Sequence, residues 1–160
     1  MHQFKITKYD PAFFGEGGSY QRDDWTSRSD VGKSFDGVVL TEAEYQKVED
    51  SYLEAVRLLT AAADVRELEV RDLEIRDHTT EWQLEEGQRV TVDAAVELCR
   101  EMLREGAVWC LLEGGQQFYV HVGYDYYMYA GMTGDPAAAV EAIRRLGLFV
   151  EPDWPSPYSS

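Results

Sequence analysis

Three runs rich in β-branched and aromatic residues, 108–112, 117–122 and 126–130, follow one another with only Glu113-Gly114-Gly115-Gln116 and Gly123-Tyr124-Asp125 between them. Connections this short close hairpins, because parallel neighbours need a crossover of a dozen or more residues. The three runs are therefore expected to form an antiparallel meander at the centre of a sheet, and the rest of the chain must be arranged around it.

The flanking segments supply helices. Thr41 followed by Glu44 is a capping box. The stripe of Tyr45, Val48, Tyr52, Ala55, Val56 and Leu59 then predicts a helix to about residue 62 or 63, with Glu42, Glu49 and Glu54 on its other sides. Asp93 is placed to cap a second helix with Val96, Cys99, Met102 and Leu103 inward, stopping near Gly106. Asp135-Pro136 opens a third, whose inner face is Ala139, Val140, Ile143 and Leu146 before Gly147.

Further strands are expected from the alternation around Phe4 and Ile6, read as an edge strand, and from residues 65–77. In the latter the apolar parity changes near Arg71-Asp72 and implies a bulge. Residues 82–84 and 148–150 suggest two short additions, whereas residues 13–37 show no sustained period and read as a long ordered loop. The expected architecture is α+β: a central antiparallel sheet of about four to six strands packed by two or three helices. It forms one domain over residues 1–151, and a Pro/Ser-rich tail at 152–160 is expected to fray unless Trp154 and Tyr158 pin it.

Charge narrows the partners. Thirty Asp and Glu against 15 Lys and Arg leave a formal net charge of -15. Nucleic acid and anionic membranes need clustered cations, so neither is expected as a partner, and a basic protein is. No apolar run approaches a bilayer span and the first residues carry no secretion signal, so a cytoplasmic location is expected. Cys99 and Cys110 have no metal or redox spacing and are expected as reduced, buried thiols. No cofactor is expected either, since no phosphate loop, nucleophile elbow or dinucleotide fingerprint is present.

Two groups of residues are candidates for partner binding. Tyr119, Tyr124, Asp125, Tyr126, Tyr127 and Tyr129 crowd one hairpin. If Phe118, Val120 and Val122 point to the core, Tyr119 and His121 lie on the opposite face, one that need not be buried. Tyrosine offers a large rigid contact area with a polar tip; the alternative is that these rings pack beneath helices. Asp23, Asp24, Trp25 and Asp30 form the second group, an aromatic among acids that either receives a cation or plugs the loop onto the core. For catalysis, His121 with Asp125 is the one pair that suggests a general acid and base, and a structural histidine is the competing reading.

The segments Phe4-Lys5-Ile6-Thr7-Lys8-Tyr9-Asp10-Pro11, Asp24-Trp25-Thr26-Ser27-Arg28-Ser29-Asp30-Val31-Gly32-Lys33 and Tyr124-Asp125-Tyr126-Tyr127-Met128-Tyr129 resemble a family of small acidic bacterial proteins with no assigned activity. In size and acidity the chain is also similar in character to immunity proteins, without a matched motif. That likeness implies an inhibitor of a basic partner, such as a cognate nuclease toxin domain. A small hydrolase or nucleotide-modifying enzyme using His121 and nearby acids is the alternative.

Overall fold

The structure, a computed structural model, describes residues 1–158. Its body is a seven-stranded antiparallel sheet and three helices. The strands are β1 (His2–Thr7), β4 (Glu67–Ile75), β5 (Arg89–Thr91), β6 (Val108–Gly114), β7 (Phe118–Val122), β8 (Met128–Met132) and β9 (Phe149–Pro152), ordered β5-β4-β6-β7-β8-β1-β9. A separate ribbon joins β2 (Ser34–Phe35) to β3 (Val38–Val39). The α+β class stands, with the meander β6-β7-β8 at the sheet's centre.

Register sorts the residues of the meander onto two faces. Val70, Leu112, Val120, Ala130 and Phe4 form one row across the sheet, and Val122, Met128 and Ile6 the row beside it. These side chains join the stripes of α1 (Glu42–Ala62), α2 (Val92–Leu103) and α3 (Ala137–Arg145) in one contiguous core. α1 lies between the other two helices, packing on both. At ~25 cal/mol per Å² of apolar surface, this burial drives the fold.

The opposite face carries the row Arg71, Leu111, His121, Tyr129, Lys5 and Glu151. It is covered, because residues 153–158 cross it as a strap. Trp154 donates its backbone N–H to Gln3, Ser156 bonds His121, and the Tyr158 ring packs on Trp109. Tyr119 and His121 are consequently buried. Gly131 makes room for this packing: a Cβ there would collide with the Tyr119 ring.

Several local expectations need correction. β1 is an interior strand between β8 and β9, because the last strand pairs with it. The strand near Trp82 is absent; β5 forms instead, three residues long and too short to show alternation. Thr91, not Asp93, caps α2 by accepting from the Ala94 N–H, and Glu105 (φ 54°) rather than Gly106 takes the left-handed position after it. Asp72 (φ 51°) forms the bulge foreseen in β4. Both cysteines are free and buried.

Candidate functional site

The end of β1 sets up the largest cleft. The Lys8 backbone N–H donates to the Tyr52 hydroxyl at 2.7 Å, and that hydroxyl donates to the Tyr126 carbonyl at 2.7 Å. Tyr9 donates its hydroxyl to the Asp125 carbonyl at 2.6 Å. Asp125 and Tyr126 are both left-handed (φ 58° and 67°), which breaks strand alternation and turns the Tyr126 ring under α1. There it meets Trp25 (5.0 Å), Tyr52 (5.3 Å) and Tyr45 (6.1 Å) in an aromatic hub.

This hub is where the two predicted groups meet, and they meet inside the protein. Trp25 and Tyr126 are buried and fasten the long loop to the hairpin. Asp30 accepts from the Thr26 and Ser27 N–H groups and pairs with Lys33; burial would raise its carboxyl, but these bonds outweigh it and hold it low. Tyr119 stacks on His121 at 4.4 Å and donates to the Gln3 side chain at 2.9 Å on the strapped face. Tyr127 and Tyr129 are half-buried, and Tyr124 and Asp125 stand exposed.

Asp23 and Asp24 do line the cleft, a depression of about 440 Å³ between the loop, the β2–β3 ribbon and α1. Asp23 is fixed by accepting the Asp36 N–H at 2.8 Å. Its rim carries exposed Asp23, Asp36 and Glu44, the half-buried Asp10, and Val38 and Val39, which are 70% and 52% exposed. The ribbon interrupts the expected loop: Asp36-Gly37 flanked by β-formers is a hairpin signal, and both turn residues take positive φ (48° and 79°).

Lys8 forms part of the floor, with a side chain 7% exposed. Its Nζ lies 4.0 Å from the Trp25 ring centre, 4.3 Å from that of Tyr9 and 2.9 Å from Asp24 Oδ2. The Asp24 contact is an ion pair without an aligned hydrogen bond. Burial therefore prevails over Asp24 and lowers the amine to about 8. No spacing in the sequence singles out Lys8.

Two other charged clusters are closed. Lys5 points its Nζ at Trp154 (3.8 Å), Phe14 (4.9 Å) and Tyr127 (5.6 Å) while pairing with Glu151 at 2.9 Å, so this aromatic box holds the chain's own cation. His121 Nδ1 is 2.7 Å from Ser156 Oγ, and its Nε2 is 3.4 Å from Glu113 Oε1, too long and misaligned for a firm bond. Burial lowers the imidazole to about 4, so it is neutral at pH 7. The order Ser156-His121-Glu113 imitates a hydrolytic triad, yet Ser156 is buried and lines none of the clefts described here. Asp125, the acid expected beside His121, receives Tyr9 through its backbone carbonyl instead.

Among the described residues no group of three or more His, Cys, Asp or Glu is arranged to hold a metal ion, and no helix is long and apolar enough to cross a membrane. No family model, curated protein or solved structure matches the chain.

Proposed function

We propose that the chain is a protein-binding domain of the immunity or inhibitor kind, neutralising a basic partner such as a nuclease toxin in the cytoplasm. The observation that supports it is the rim of the largest cleft. Asp10, Asp23, Asp36 and Glu44 line it together with the exposed Val38 and Val39. Of the cations there, Lys8 is buried against Asp24 and Arg22 lies over the Phe13 ring at 4.5 Å. Exposed apolar residues among a majority of acids suit an interface with a basic protein, and the net charge of -15 steers such a protein toward it. The hydrolase alternative draws less support, since His121 lies beneath the strap.

The test places a photo-crosslinking residue at Val38 and measures association with the captured partner. Asp23→Asn, Asp36→Asn and Glu44→Gln together keep the hydrogen-bond acceptors and remove three charges. Association at low salt should slow about tenfold. An equal charge change outside the cleft, at Glu54, Glu67 and Glu81, should slow it far less. Equal slowing by both variants, or no capture from Val38, would falsify the reading.

A further inference from the structure

The strap carries the pattern Trp154-Pro155-Ser156-Pro157-Tyr158, and the sheet answers it residue by residue. Proline holds its own φ at about −65° and keeps the residue before it extended, so the segment is straight before it touches anything. The two prolines, which have no N–H to offer, stand exposed. Each of the other three N–H groups is taken: Trp154 donates to the Gln3 carbonyl at 3.2 Å, Ser156 to the Tyr119 hydroxyl, and Tyr158 to Ser156 Oγ at 3.1 Å. Ser156 is the one strap residue that is buried, with its Oγ 2.7 Å from His121 Nδ1. The Tyr158 ring lies against Trp109 (5.4 Å), Tyr129 (6.3 Å) and His121 (6.4 Å), and Gly123 leaves space for its hydroxyl, which a Cβ there would meet at 3.0 Å. The strap thus adds no ladder to the sheet. It lies on a row of rings as an extended proline-rich ligand lies in an aromatic groove. Asp153, left-handed (φ 56°), turns the chain between β9 and this bound segment, and a terminal segment with one buried residue belongs to the parts of a fold that open first.

We propose that the strapped face is a groove for an extended segment of the pattern aromatic-Pro-Ser-Pro-aromatic on another protein, and that the strap is its resident occupant, blocking it in cis. Tyr119 and His121 select serine at the centre, where the side chain is enclosed and its hydroxyl meets a ring nitrogen. Trp109 and Tyr129 receive the second aromatic residue. A tethered segment competes at an effective concentration in roughly the millimolar range, so a free peptide enters only where the strap is displaced. Gln3, Trp109, Tyr119, His121 and Tyr129 line no part of the largest cleft, and the proposal is independent of basic-partner binding.

The test uses the full chain with its strap expelled. Ser156→Arg puts a long cation where a buried serine fits, and Trp154→Ala with Tyr158→Ala reaches the same open state by removing both rings without adding bulk. The probe is a fluorescent peptide of residues 152–158, followed by anisotropy. It should bind each open chain at least about tenfold more tightly than the wild-type chain. The same peptide carrying Ser156→Arg should not bind, and Tyr119→Phe on an open chain should weaken binding of the unaltered peptide by removing the acceptor of the serine N–H. Circular dichroism establishes that each chain is folded, and sedimentation gives its oligomeric state. The proposal is overturned by folded open chains that do not bind the peptide, by equal binding of the arginine peptide, or by dimers that exchange straps in place of taking up peptide.

Discussion

Glu49 is the most confined acid in the chain, fully buried at the junction of α1 and α2. Burial alone would raise its carboxyl. Hydrogen bonds from Arg104, Tyr45 and Gln46 outweigh that and hold it below the usual carboxylate range, with Arg100 closing the cluster. Because its folded value lies below the unfolded one, near 4.3, its contribution is complete above that pH. It is lost as pH falls through the folded value. Glu49→Ala, which leaves Arg104 facing a void, should cost about 3–5 kcal/mol, read as a lower denaturation midpoint. A cost below about 1 kcal/mol would mean that the arginines find solvent. This residue was not legible in the sequence. Helical spacing put Glu49 among the solvated acids, since nothing local announces partners 51 and 55 positions away. Lys8 was hidden for the same reason, its environment being assembled from β1, the long loop and α1.

At the scale of elements, the strap is the feature with the clearest energetic signature. Residues 153–158 keep His121 dry, so the folded imidazole, lowered to about 4, sits below its unfolded value near 6.5. The unfolded chain binds the proton first. Stability should be full above about pH 6.5 and should fall by about 3 kcal/mol on the way to pH 4. A chain ending at Pro152 exposes His121 and should be less stable at pH 7, with this pH dependence flattened. Chemical denaturation of both chains between pH 7 and 4.5 checks the point; parallel profiles would clear His121 of the effect. The elements themselves were largely legible: α1, the meander, the bulge in β4 and the third helix follow from spacing and caps. β5 is three residues long and exists through pairing, which local pattern does not encode, whereas the β2–β3 ribbon carried its Asp36-Gly37 turn as a local mark. The strap's aromatic contacts were suspected at Trp154 and Tyr158, but the Ser156 latch carries no sequence mark.

For the whole molecule, charge and topology act together. A net charge of -15 on a body of 160 residues repels itself, and salt screens that repulsion. Raising the ionic strength from about 0.01 to 0.1 M, where the screening length drops from roughly 30 to 10 Å, should raise the melting temperature by a few degrees. A fall would show that attractive pairs such as Arg57 with Asp93 dominate instead. Both outer strands are guarded. β5 is only three residues long, and in β9 the Val150 carbonyl is already taken by Arg144 at 2.8 Å. The position of β1 has a further consequence during synthesis. Of this sheet's strands it is made first, yet it pairs with β8 and β9, more than 120 residues downstream. While the ribosome works through the helices and the meander, this amphipathic segment has no mate and stays open to chaperones. This side of the sheet closes in a late step, when β8 and β9 come back to β1.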